Sequence, residues 1–249
     1  MTAARALPDN TVHVWVLHES VVQRASESLS HTLSPDEWER ARAYRQDKHR
    51  DRFMARRGIL RHLLGNYLNC EPASLRFGST QHGKPFLLHP GAASLAFNVS
   101  HTDEMAVLAF VSHGRIGVDV EQSIDDMEVA GIGRGIFSSS EEAALASAGP
   151  DSVATFLRLW TRKEALLKAL GTGLIHQPTS YATATEPHRG EGCWLASYNG
   201  VALSGWTCRD LTLGPRLRGA LAVSMDHAQV SLQPCSSLLQ TGMPLTAHA

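Results

Sequence analysis

Two long helical patterns, each followed by a group of short strand-like runs, do most to limit what this chain can fold into. The first opens at Ser34-Pro35-Asp36-Glu37. Ser34 suits an N-cap, Pro35 suits the first helical position, and Glu37 is the third residue on. The pattern predicts helix from about Pro35 to about Leu68, with room for a break. Its best periodic part is Ile59, Leu60, Leu63, Leu64, Tyr67 and Leu68. The second helix runs from about Val153 to Leu170 and stops at Gly171. A further helix start falls at Ser138–Glu142.

Strands are predicted at Val12–Leu17, Leu75–Phe77, Leu95–Val99, Met105–Val111 and Arg115–Glu121. Four more follow at Tyr181–Thr185, Trp194–Tyr198, Ala202–Leu211 and Gly219–Met225. His113-Gly114 reads as a hairpin turn between the runs on either side of it. Helices segregated from mostly hairpin-connected strands mean an α+β fold rather than a doubly wound sheet. The natural division is at residues 113 and 114, giving an N-terminal half (1–113) and a C-terminal half (114–249).

The chain of 249 residues carries a formal net charge of -1, so no global basic field points to nucleic acid or a membrane surface, and any anion site must be local. No apolar stretch is long enough to span a membrane, and the first residues lack a signal-peptide pattern. Cys70, Cys193, Cys208 and Cys235 form no CxxC pair and no zinc-like spacing with histidine, which reads as reduced thiols in a cytosolic protein. The tail after Ser236 reads as poorly ordered.

Chemistry concentrates in two places. In Ile116-Gly117-Val118-Asp119-Val120-Glu121, alternate residues share a strand face. Val118 and Val120 point into a core; Gly117, Asp119 and Glu121 point the other way. Two carboxylates about 7 Å apart on one strand face can close on a hard cation, and the glycine leaves room for a ligand to approach the backbone. The segment from Leu159 to Leu174 supplies a third carboxylate: Trp160, Glu164 and Lys168 form one stripe of the helix. Phe156, Leu159, Leu166, Leu167 and Leu170 form the adjoining apolar stripe, which also contains Lys163, while Arg158, Thr161, Arg162 and Ala165 read as the solvated side. Asp119, Glu121 and Glu164 together offer the few oxygen ligands that suit Mg²⁺. Lysines beside such a metal point to a phosphate or pyrophosphate substrate.

The set GKP (83–85), FNVSHT (97–102), GVDVE (117–121), FSSSE (137–141) and WTRKEALLKALGTGL (160–174) resembles the Sfp-type 4′-phosphopantetheinyl transferases, in the family's order and across roughly residues 30 to 225. The resemblance implies two similar halves related by a pseudo-two-fold, with coenzyme A in the cleft between them and Mg²⁺ held by Asp119, Glu121 and Glu164. It implies that Arg57 (or its neighbour Arg56) meets the 3′-phosphate, that Lys84 and Pro85 border the adenine, and that Ser100 and His101 reach the phosphates. Lys168 is implied on the pyrophosphate, Lys163 as an anion partner beside it, and Arg40 as a further phosphate contact. Glu37 stands near a position that is basic in relatives. The implied reaction moves phosphopantetheine to a serine of an apo acyl or peptidyl carrier protein, with Glu164 as base, directly or through a metal-bound water, and Lys168 stabilising the leaving phosphate. The enzyme is expected to be cytoplasmic and monomeric, with a carrier surface around Met127 to Phe137. Two other readings of the same residues are a metal-dependent hydrolase of small pyrophosphates and a non-catalytic carrier-binding module.

Overall fold

The computed structural model describes residues 7–90, 94–124, 129, 131–175, 177–184 and 192–233. Along the chain run β1 (Thr11–His18), α1 (Glu19–Leu29), α2 (Pro35–Arg42), α3 (Asp47–Leu68), β2 (Phe77–Ser79), β3 (Pro85–Leu87), β4 (Ala96–His101), β5 (Met105–Val111) and β6 (Ile116–Gln122). Then come α4 (Ser139–Ser147), α5 (Ser152–Leu170), β7 (Tyr181–Thr183), β8 (Ala196–Tyr198), β9 (Val201–Ala202), β10 (Thr207–Leu211), β11 (Leu217–Val223) and β12 (Gln229–Gln233). The fold is α+β.

Two sheets carry the architecture. One has the order β12-β1-β5-β4, the other β10-β11-β6; β2–β3 and β7–β8–β9 are small separate ribbons. β5 is buried along its whole length, and its side chains divide by parity. Ala106, Leu108 and Phe110 join the core beneath α1 and α3, with Trp15, Leu17, Ile59 and Leu63. Met105, Val107, Ala109 and Val111 turn to the opposite face. There they meet Val118 and Val120 of β6 and Leu221 and Val223 of β11, so the two sheets share one apolar core. α5 covers the other face of the second sheet through Ala165, Leu166 and Ala169.

Several expectations change. The predicted first helix takes the break it left room for and divides into α2 and α3. Ser34 caps α2 in a capping box with Glu37, and Asn69 ends α3 in the left-handed conformation at φ 52°. α1 was not anticipated, although Val21, Val22, Ala25 and Leu29 recur at helical spacing and are buried. No hairpin joins β5 to β6: β6 pairs antiparallel with β11, and Gly114 (φ 89°) carries the chain between sheets. β12, assigned to the C-terminal half, lies parallel to β1 in the N-terminal sheet, from Thr11 against Gln229 to Trp15 against Gln233. β7 and β8 are shorter than expected, the Ala202–Leu211 run breaks into β9 and β10, and β11 is shifted two residues toward the N-terminus of its predicted run. Residue 185, part of the Tyr181–Thr185 run, and the tail after Ser236 lie outside the described residues.

Candidate active site

β4 and β6 are the facing edges of the two sheets, and the candidate site lies where they meet α5. Gly117 makes that meeting possible. A Cβ at Gly117 would fall on Ala165 O and Ala169 N of α5. The glycine was expected to leave room for a ligand; it leaves room for a helix, which brings the Trp160–Glu164–Lys168 stripe onto β6.

At the centre, Asp119 is 2% exposed. Its Oδ1 accepts hydrogen bonds from Lys168 Nζ (2.5 Å) and Ser100 Oγ (2.8 Å). Its Oδ2 is buried with no hydrogen-bond partner, a condition that costs free energy unless another group meets it. Glu121 lies on the same strand face, near the Trp160 indole. Burial, then the charge of Asp119, raises the Glu121 carboxyl above its ordinary value. Burial also raises Glu164, against the opposing pull of Lys168. The like charges of Asp119 and Glu164 each reach a neighbouring carboxylate. The group therefore has carboxylates short of positive charge, and a bound cation would relieve them. Among the described residues, no three His, Cys, Asp or Glu side chains are placed as a metal cage.

Beside this group a cavity of about 360 Å³ is lined by Arg40, Arg52, Arg56, Arg57, His49 and His101, with Tyr44, Phe53, Ser79, Gly83, Pro85 and Asp103 among its other walls. Arg56 donates to Thr102 O (2.9 Å), but its Nε is buried without a partner. Arg57 is held 3.0 Å from Glu37 and lies over the Phe77 ring at 4.7 Å. Arg40 lies over Phe53 at 5.2 Å. Glu37 does not line the cavity: its carboxylate accepts the Ser34 N–H (3.0 Å) and pairs with Arg61 (2.7 Å). The acidic residue at this position thus orients two arginines instead of facing a ligand. The His101 imidazole keeps one side open to solvent. Burial of the rest, with the charges of Arg56 and Lys168, pushes it down to about 4, so it is neutral at pH 7.

Lys84 does something the sequence did not indicate. Its ammonium donates to Ile116 O (2.9 Å) and Lys168 O (2.6 Å), tying the β2–β3 ribbon to β6 and α5. Burial, then the nearby charge of Arg115, lowers it to about 8. It lines a second cavity of about 440 Å³ on the other side of this tie, together with Pro85, Phe86 and Arg115.

The expectation that Lys163 meets a ligand anion is corrected. Its side chain is fully buried, 2.7 Å from Glu141, which is equally buried. It also donates to Pro178 O and Tyr181 O, so all three ammonium donors are used. The expected solvated side of α5 is buried as well: Thr161 is 1% and Arg162 3% exposed, the latter in a two-point bond to Asp210. In the stretch expected to face a carrier, Val129 and Phe137 belong to a buried cluster, while Ile132 is exposed. Met127 lies outside the described residues.

Comparison with known proteins agrees with this layout. Residues 21–113 match the family model described as 4′-phosphopantetheinyl transferase, N-terminal, and residues 115–221 match the 4′-phosphopantetheinyl transferase superfamily. The chain is 37% identical over 186 residues to 4′-phosphopantetheinyl transferase HetI of Nostoc, covering 73% of this chain and 78% of that protein. It is 27% identical over 154 residues to 4′-phosphopantetheinyl transferase Sfp of Bacillus subtilis, covering 61% and 66%. It is 29% identical over 174 residues to a phosphopantetheinyl transferase of Thraustochytrium, covering 64% and 58%. Two family models that together span residues 21–221, and a relative matched over most of its length, make this chain a transferase of the 4′-phosphopantetheinyl transferase superfamily.

Proposed function

We propose that the protein moves phosphopantetheine from coenzyme A to a serine of an apo acyl or peptidyl carrier protein and releases adenosine 3′,5′-bisphosphate. One observation carries the reading: the buried Asp119–Lys168–Ser100 group, with its unpartnered carboxylate oxygen, opens beside a cavity lined by four arginines. Carboxylates and a lysine next to an arginine-rich cavity suit a pyrophosphate joined to a further phosphate. The nucleotide end of coenzyme A takes the arginine cavity. Arg57, with Arg56 beside it, holds the 3′-phosphate and Arg40 assists. Pro85, with Lys84 next to it in the chain, borders the adenine, and Ser100, His101 and Lys168 face the pyrophosphate.

Mg²⁺ fits the residues present, since Asp119 Oδ2 lacks a partner and Glu121 and Glu164 are raised by burial. Asp119, Glu121 and Glu164 would hold it. When bound it neutralises charge that builds on the pyrophosphate oxygens. In the transfer step the carrier serine Oγ forms a bond to the phosphorus attached to pantetheine. The bridging P–O bond breaks, and the electron pair leaves on adenosine 3′,5′-bisphosphate. Glu164 takes the serine proton, directly or through a water. Lys168, held at the same place by Asp119, stabilises the leaving phosphate.

The protein works as a cytoplasmic monomer in this reading. The free thiols of Cys70, Cys193 and Cys208 suit a reducing compartment. No helix among the described residues is long and apolar enough to cross a membrane. The deciding experiment is intact mass of an apo carrier protein after incubation with enzyme, coenzyme A and Mg²⁺. The expected result is one added phosphopantetheine, lost with chelator and with Glu164→Gln. Release of adenosine 3′,5′-bisphosphate without any acceptor would overturn the reading in favour of hydrolysis.

A further inference from the structure

β6 is an edge strand, yet its free edge is not bare. On one side it pairs with β11. On the other, the backbone groups of alternate residues are met by side chains from the N-terminal half. Lys84 Nζ donates to Ile116 O (2.9 Å), Asn98 Oδ1 accepts the Val118 N–H (2.8 Å), and Ser100 Oγ accepts the Val120 N–H (3.3 Å). Asn98 and Ser100 are two residues apart on β4, as Val118 and Val120 are on β6, so the strand period matches the two bonds. Side chains thus replace a missing ladder along the seam between the sheets. A buried N–H without such a partner costs free energy.

Asp119 is the residue between the two captured amides. Its neighbours on both sides are held to β4, which sets where its carboxylate stands: Oδ1 against Ser100 and Lys168, Oδ2 without a partner. Ser100 touches Asp119 itself and so belongs to the site. Asn98, 4% exposed, bonds only backbone here. We infer that Asn98 is a positioning residue for the transfer: by fixing the Val118 amide it sets the place of Asp119 without touching the reacting atoms. The inference rests on the reading of the site given above.

The test compares three variants. Asn98→Leu keeps the size and removes the acceptor. Asn98→Asp keeps an Oδ acceptor whether or not it is protonated. Ser224→Ala removes a similar bond at the far end of β6, where Ser224 Oγ accepts the Arg115 N–H at 2.7 Å. Each is measured for amide exchange at Val118, thermal midpoint, Mn²⁺ affinity by electron paramagnetic resonance in the presence of coenzyme A, and steady-state kinetics. Asn98→Leu should speed exchange at Val118, weaken Mn²⁺ binding by about tenfold or more, and lower kcat with the carrier KM unchanged. Asn98→Asp should stay near wild type. Ser224→Ala should lower the midpoint alone. Wild-type Mn²⁺ affinity and kcat in Asn98→Leu, despite faster exchange, would make Asn98 merely structural and overturn the inference; so would an equal defect in Asn98→Asp. If Asn98→Leu does not fold, Asn98→Thr takes its place in the same comparison. If the wild type binds no Mn²⁺ and transfers nothing, the functional reading fails. The Asp119 carboxyl ¹³C shift then decides positioning: a change in Asn98→Leu but not in Asn98→Asp supports it, and no change overturns it.

Discussion

Single side chains in this protein are tuned by what surrounds them more than by their own chemistry. Glu164 is a carboxylate whose affinity for a proton is raised by burial and restrained by Lys168. Replacing it with Gln keeps its shape and removes the base; kcat should fall about 100-fold or more in a steady-state assay. His101 gives a prediction with a definite sign. Free, it is held at about 4 by burial and by Arg56 and Lys168. A phosphate nearby favours the charged ring, so its value rises on binding adenosine 3′,5′-bisphosphate. Protons are then taken up between the free and bound values, and affinity grows as pH falls through that window. Imidazole resonances of His101 should titrate at least about one unit higher in the complex; an unchanged midpoint would place the phosphates elsewhere.

At the scale of elements, α5 against β6 is the decisive contact. Gly117→Ala puts a methyl on the backbone of Ala165 and Ala169. The helix must move away, at a cost of about 1–3 kcal/mol in urea unfolding, and Lys168 should lose its 2.5 Å contact with Asp119, seen as weaker Mn²⁺ binding. Lys163→Met should cost more, about 3–5 kcal/mol, because it strands Glu141 in a dry site, while the Kd for coenzyme A stays as in wild type. That pair also marks what sequence could and could not show. The Trp160–Glu164–Lys168 stripe and the Gly171 stop were legible because helical period and a left-handed cap (φ 78°) are local rules. The Ser34–Glu37 box was legible for the same reason. Lys163 was legible as a lysine out of place in an apolar stripe, but its partner sits on another helix, and no local pattern names it. The seam of Lys84, Asn98 and Ser100 on β6 was equally hidden, since it depends on two strands from different sheets lying side by side.

The whole molecule is one core across the point where its sequence divides. Val12, Val14, Val107 and Ala109 from the first sheet share a core with Val118, Val120, Leu221 and Val223 from the second. β12 crosses back to complete the first sheet. Calorimetry should therefore show one unfolding transition with coincident calorimetric and van't Hoff enthalpies; two separated transitions would mean the halves are independent. The turn at Gly114 looked like a boundary because alternating strands flank it. Only the pairing of β6 with β11 shows that it is a passage between sheets.

The return of β12 to β1 has a consequence for how the protein is made. Thr11 leaves the ribosome early and its partner Gln229 late, with nearly the whole described chain between them. Until then the outer edge of β1 offers its amides and carbonyls to any passing strand, and among the described strand pairings this one closes the longest loop, which favours slow completion. Nascent chains stalled before residue 229 should pellet or bind chaperones more than full-length ones. A strand made late is then the step that renders an early one safe.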